Sequence, residues 1–315
     1  VIVYREYEEG ILMHSLMSFQ NTEAEGSSPS RSLVESYLSA NGLPIHQAEN
    51  TMYKGDKWFF DEFADRDPRL YDNIDKEGLR LEGTVAVYAA TGYFAHLFVN
   101  PDLKTVPGGM SSTNITDAPV MKLNEVMMNY IEAAAELADM GQYTLTQGDF
   151  DKTINALRNR PSTSMPAVTL AGSNLAVNGV TINDPDRDKG QMKSGDYEVS
   201  PILWEVRRER RTELPYQGIR FNDLRRWGKL HYADMKVNPK LNLGAWLDKD
   251  AYVAWYNEQN GTSLTVEDLK GIHLDREGNA GYIVPAIDAS LLRTCEDKHY
   301  LYPIPSQEIA LYQSH

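Results

Sequence analysis

The chain has 315 residues and a formal charge of −14, with 42% hydrophobic and 24% charged residues. That is the balance of a folded chain, long enough for two domains or one large one, and it excludes disorder over the whole length. No apolar run approaches the roughly 18 residues of a membrane-spanning helix. The single cysteine, Cys295, rules out an internal disulfide framework, and the acidic surplus disfavours nucleic acid as a partner.

The sequence opens as VIVYREYEEG, without a basic and apolar leader pattern. Asn21 to Arg31, rich in Ser, Glu, Gly and Pro, reads as an exposed loop. Arg31 to Ala40 predicts a short helix with Leu33, Val34, Tyr37 and Leu38 on one face, closed by Asn41 and Gly42. Tyr53 to Asp67 is aromatic and charged until Pro68 breaks it, and Pro101 to Asp117 reads as loop. Leu123, Val126, Met127, Tyr130, Ile131, Ala134, Leu137 and Ala138 then form a helical stripe, with Gly141 as its stop. A second helix is predicted from Asp149 to Arg160, with Phe150, Ile154 and Leu157 inward and Pro161 beyond it. Together they make an antiparallel αα-hairpin, the unit of helical-repeat folds.

Met165 to Ile182 reads as loop with a short strand. Ser200 and Pro201 have the chemistry of an N-cap and first helical position, and Ile202, Leu203 and Val206 follow. Further helices are predicted from Ile219 to Leu230 and from Asp248 to Asn260, before a tail from His299 to Tyr312.

The most informative stretch is Trp204 to Lys229, WEVRRERRTELPYQGIRFNDLRRWGK. Eight basic and four acidic residues give it +4, leaving about −18 for the rest of the chain. Glu205, Glu209 and Glu213 recur every fourth residue beside Arg207, Arg208, Arg210 and Arg211, within pairing reach on a helix. With Arg220, Asp223, Arg225 and Arg226, this interleaving predicts a structural ion-pair network, for which the planar guanidinium fork is suited. A ligand site is the rival reading of the same charges. Pro215 predicts a kink near Leu214.

The stretch resembles the signature of the RagB/SusD family of outer-membrane nutrient-binding lipoproteins. Gly42-Leu43-Pro44-Ile45, Arg66-Asp67-Pro68-Arg69, the helices between Leu123 and Asn155, and Tyr300 to Ile309 (YLYPIPSQEI) resemble further family elements in the same order. The resemblance implies an all-α, tetratricopeptide-like fold of helical hairpins with long irregular loops and minor β structure. Residues 1–315 would be the C-terminal part of a single domain of this kind, without its N-terminal repeats. It also implies a surface-exposed lipoprotein of the outer membrane that captures a glycan without catalysis. The protein would pass this oligosaccharide to a TonB-dependent, SusC-like outer-membrane transporter. Peptide binding on the same fold, a carbohydrate-active enzyme and a pure scaffold are the alternatives.

Sugar rings offer an apolar face and a polar edge, so a glycan site needs flat aromatic surfaces rimmed by polar groups. Tyr53, Asp56, Trp58 and Phe59 form one candidate with that composition, and Trp246, Trp255 and Tyr256 a second. Both sets are also what an aromatic core looks like. Trp227 reads as core, inside the helix pair. Asp184, Asp186 and Asp188 alternate as calcium ligands do, but the spacing that follows is not that of an EF-hand, so an irregular Ca²⁺ loop and a solvated turn both stand. Cys295 and His299 are too few for zinc. No catalytic motif is present, although a spatial carboxylate pair leaves no trace in sequence.

Overall fold

The computed structural model describes residues 1–16, 28–85, 88–97, 99, 102, 113–188, 198–285, 290 and 292–312. Its helices begin where the sequence supplies caps. Asp67 accepts the backbone N–H of Arg69 at 3.0 Å and starts α3 (Pro68–Asn73), with proline in the first turn. Two short helices precede it, α1 (Arg31–Ser36) and α2 (Phe59–Glu62). Ser200 accepts from Leu203 N–H at 3.3 Å and starts α7 (Pro201–Glu213). Asp248 caps α9 (Lys249–Asn260), which Gly261 closes with φ +63°.

The longest helix, α4 (Leu123–Asp139), packs along α7 more extensively than any other pair of elements. Its buried seam is Met128, Ile131, Glu132, Ala134 and Ala135. The apolar stripe read from the sequence is therefore split: Ile131 and Ala134 face inward, while Leu123, Val126, Tyr130 and Leu137 are exposed. The helix predicted from Asp149 to Arg160 is two, α5 (Gln147–Asp151) and α6 (Ile154–Arg158). The break falls where Thr153 donates its hydroxyl to the Asp149 carbonyl at 2.5 Å and leaves helical geometry, with ψ −95°.

Other boundaries differ for equally local reasons. The first helix stops at Ser36, because Tyr37 turns extended and presents its carbonyl to Arg66 Nη2 at 2.8 Å. At Pro215 the chain does not kink within a helix. α7 ends at Glu213, and Tyr216 at φ +59° and Gly218 at φ +75° turn it back into α8 (Arg220–Arg226). A 3₁₀ turn, Leu230–Ala233, follows. The last helix is α10 (Ser306–Tyr312).

Strand structure is confined to three small antiparallel sheets among the described residues. β1 (Val3–Arg5) pairs with β2 (Ala118–Met121). β3 (Thr169–Ala171), β4 (Asn174–Val177) and β5 (Val180–Thr181) form a meander. β6 (Trp246–Asp248) pairs with β7 (Ala280–Tyr282) in a register that sets Trp246 opposite Tyr282.

Two large apolar clusters result. One joins α4 to α7 and the meander through Met128, Ile131, Phe150, Leu157, Val177, Leu203 and Val206. The other joins α1, α2, α3, α9 and the β6–β7 ribbon through Val34, Phe59, Phe63, Leu70, Leu247, Tyr252 and Ile283.

Candidate functional site

Charged side chains link the two clusters. Arg69 of α3 meets Asp67 at 2.7 Å, Glu209 at 2.9 Å and Glu213 at 3.0 Å, all of them buried. Glu209 also takes Arg158 of α6 at 2.8 Å, and Glu213 takes both Arg160 Nη1 at 2.8 Å and Nη2 at 2.7 Å. Burial alone would raise the Glu209 pKa, but the Arg158 and Arg69 charges win and hold it down to about 2. Arg208 pairs with Glu205 at 3.0 Å and with Asp184. Arg210 and Arg226 share Asp223, at 2.8 and 2.9 Å. Glu132 of α4 accepts Arg226 at 2.6 Å and the Trp227 indole N–H at 2.5 Å. Arg207 pairs with Glu136 at 2.6 Å, and its guanidinium lies 4.4 Å from the Trp227 ring centre. Trp227 is 6% exposed, inside the helix pair.

Three arginines of the predicted network depart from it. Among the described residues none of the three meets a carboxylate. Arg225 donates to the Tyr300 carbonyl at 2.7 Å and covers the Tyr302 ring at 3.7 Å, tying down the C-terminal segment. Arg211 donates to Ser32 Oγ at 3.0 Å, and Arg220 approaches the Trp227 ring at 5.4 Å. Both line a cavity.

The two aromatic candidates, distant in sequence, meet. The Trp58 ring lies 6.0 Å from Trp255, edge to face, and Phe60 fills the angle 5.2 Å from Trp255. The space they enclose with Lys57 and Trp246 is about 10 Å³, room for roughly one water. Trp58 and Trp255 thus support one another as a half-buried wedge. Tyr256 stacks on Tyr252 at 5.8 Å and donates to the Thr84 carbonyl at 2.7 Å. Phe59 is 5% exposed and stacked on Phe63 at 4.3 Å, so the structure corrects its reading as a ligand contact: it is core. Tyr53 turns to His46 and Arg66 and lines neither cavity.

Trp246 and Asp56 gain partners that sequence did not name. Trp246 meets Tyr282 edge to face at 5.0 Å, with the Lys57 ammonium 3.6 Å above the indole and Arg276 at 5.1 Å. Asp56 accepts the Tyr282 hydroxyl at 2.5 Å and Arg31 Nη2 at 3.0 Å, and Lys57 donates to the same hydroxyl at 2.8 Å. Only the β6–β7 register brings Tyr282 here, and nothing in the local sequence around it signals the role. Trp246, Tyr282, Lys57 and Arg276 form an aromatic platform with a charged rim.

Behind Tyr282 and Arg276 the surface opens into a cavity of about 970 Å³, the upper end of ligand-site volumes. Arg31, Glu35, Trp204, Arg208, Arg211, Arg220, Phe221, Trp227 and Tyr232 are among its walls.

In the structure the carboxylates of Asp184, Asp186 and Asp188 meet protein donors. Asp184 faces Arg208 and accepts the Trp204 indole N–H at 2.6 Å, Asp186 faces His46, and Asp188 faces Lys229 at 3.3 Å and the Tyr232 hydroxyl. The three carboxylates diverge toward separate donors, and among the described residues no group of three His, Cys, Asp or Glu could hold a metal.

The chain folds chiefly into helices joined by buried arginine–glutamate pairs, with the Trp246–Tyr282 platform beside a large cavity that Tyr282 also lines. The model of the SusD family matches residues 16–87 and 82–313, so the chain belongs to the SusD family. The fold is similar to that of a SusD-like carbohydrate-binding protein from Bacteroides fragilis, with a TM-score of 0.59 and 24% identity over 98% of this chain. The match covers 53% of that protein, so the chain spans about half its length. Among curated proteins no sequence matches.

Proposed function

We propose that the protein captures glycan nutrient at the cell surface and delivers it to a TonB-dependent, SusC-like outer-membrane transporter, itself held there as a lipoprotein. It acts by binding and not by catalysis. The observation that carries the glycan assignment is the Trp246–Tyr282 ring pair, whose tyrosine lines the 970 Å³ cavity. The Trp246 and Tyr282 rings are flat apolar surfaces for a sugar ring, with Lys57 and Arg276 over the indole and Asp275 paired to Arg276 as polar groups for the hydroxyls. Trp58 and Trp255 line a small cavity together with Trp246. The similarity to a protein described as carbohydrate-binding supports the same reading.

Calorimetric titration of the chain with a panel of neutral and acidic oligosaccharides, and with a mixture of oligopeptides, tests this. Heat with at least one oligosaccharide, lost in Trp246→Ala, supports the proposal. Heat with peptides only, or release of reducing sugar during the titration, overturns it.

A further inference from the structure

The carboxylates on the wall of the large cavity are all engaged by cations. Glu35 pairs with Arg31 at 2.6 Å, Asp275 with Arg276 at 2.9 Å, Asp184 with Arg208 and Asp186 with His46. The cations are not all engaged in return. Among the described residues, Arg211 reaches a serine hydroxyl, Arg220 an aromatic ring, Arg293 the Ala233 carbonyl and the Asn242 amide oxygen, and none of these three or Lys240 pairs with a carboxylate.

Arg211 and Arg220 are the two guanidiniums of the Trp204 to Lys229 run that face this cavity without a carboxylate in pairing distance. Burial weakens the protonated form of both, and for Arg220 the Arg211 charge adds to it. A half-buried guanidinium without a counter-ion is unfavourable, whereas every other arginine on α7 meets an acidic group. The planar fork of each can take two oxygens of one anionic group. Phe221, Trp227 and Tyr232 beside them supply the apolar faces against which a sugar ring packs.

From this juxtaposition we infer that the cavity takes an acidic oligosaccharide, its carboxylate or sulfate held by Arg211 and Arg220 and its neighbouring rings running out to the Trp246–Tyr282 platform. This rests on the glycan reading above and narrows it to a substrate class. A free inorganic anion and an acidic peptide share the charge but lack the ring faces that the aromatic wall addresses.

The test uses trigalacturonate and its methyl ester, which share the sugar rings while the ester carries methyl groups in place of the negative charges, with inorganic sulfate and hexaglutamate as further probes. Trigalacturonate should bind the wild-type chain at least tenfold more tightly than the ester. The preference should vanish in Arg220→Gln and shrink in Arg211→Gln, with ester binding retained. Should either variant fail to fold, the wild-type melting temperature serves instead: it should rise with trigalacturonate and stay flat with the ester at equal concentration. Equal affinity for acid and ester, or a preference that survives both substitutions, overturns the acidic class while leaving neutral glycan capture in place. Tighter binding of hexaglutamate, or of sulfate alone to the same saturation, overturns it as well. Absence of binding to every sugar sinks this inference and the proposed function together.

Discussion

Arg158 and Glu209, from helices α6 and α7, meet through two nitrogens of one guanidinium, at 3.2–3.3 Å for Nε and 2.8 Å for Nη2, each side chain no more than 3% exposed. Arg69 approaches the same carboxylate from a helix of the second apolar cluster. One glutamate thereby fixes α7 against two other helices.

Removing that charge takes from buried Arg158 its carboxylate partner and from Arg69 one of three. Glu209→Gln should lower unfolding stability by about 3–5 kcal/mol, the range for breaking a buried pair by deleting one partner. The check is a denaturation curve with unchanged slope and a shifted midpoint, compared with Glu267→Gln, whose partner Lys270 is exposed and whose loss should be within about 0.5 kcal/mol.

Acid should act through the same residue. The Glu209 carboxyl is held down to about 2 in the fold against an ordinary 4.5. Its contribution is therefore complete above about pH 4.5 and is lost as pH falls from there toward 2. Melting temperature followed downward from pH 5 should fall steeply in the wild type and much less in Glu209→Gln. Parallel curves would show that the lattice is not what acid attacks.

Glu62 titrates in the opposite sense. Burial pushes its carboxyl up to about 7, only partly offset by the Tyr93 hydroxyl, which donates to the carboxylate and lies 2.9 Å and 2.8 Å from its two oxygens. A pKa raised in the fold means that the protonated form is favoured there, so its contribution is present below about 4.5 and lost as pH rises through 7. Glu62→Gln keeps a neutral partner for Tyr93. It should melt at a higher temperature than the wild type at pH 8, and at pH 4.5 the two should agree.

The two tryptophan pairs should separate in function. Trp246→Ala should weaken oligosaccharide binding by tenfold or more while the melting temperature moves little, since the indole lies on the platform face. Trp58→Ala should reduce stability by about 3 kcal/mol, within the range for removing packed aromatics, because Phe60 and Trp255 lose their common wall. Melting curves and titrations on the same two variants decide it; equal losses of stability would assign both rings to support.

Gly244 tests the backbone beneath the platform. It precedes β6, its N–H donates to the Ile283 carbonyl at 2.8 Å, and a methyl group there would sit 2.3 Å from the Thr91 carbonyl oxygen. Because that neighbour is backbone, it cannot yield as a side-chain tip could. Gly244→Ala should destabilise by about 1–3 kcal/mol, as overpacking does, and should weaken glycan binding with it, through the displaced β6–β7 ribbon. Wild-type stability in this variant would show that the Thr91 loop moves freely.

Much of this arrangement is written locally in the chain. Ser200-Pro201, Asp248 and Gly261 mark helix ends through their own hydrogen bonds and dihedral angles, so they are readable one residue at a time. The alternation of Glu205, Glu209 and Glu213 with arginines announces pairing, and in the structure each of the three glutamates meets an arginine. What sequence does not carry is which guanidinium finds which acid. Arg69, Arg158 and Glu132 enter the lattice from three other helices, and Arg211 and Arg220 differ from their neighbours only in the direction they face. The platform is hidden for the same reason: Tyr282 comes to Trp246 by strand register, and Phe59 differs from Trp58 only by pointing inward.

The lattice has a kinetic consequence. Arg69 and Glu213 are 144 positions apart, Glu132 and Arg226 94, and Arg158 and Glu209 51. Arg69 and Arg226 have near partners in Asp67 and Asp223, but the distant pairs form only when the helices dock, and closing such long loops is entropically costly before the contacts repay it. Desolvating one helix of the set early would strand its ions, so the arginine-rich centre should dehydrate late, in one concerted step that docks the two apolar halves. A refolding chain should consequently pause in a hydrated, loosely packed state from which the final docking is slow.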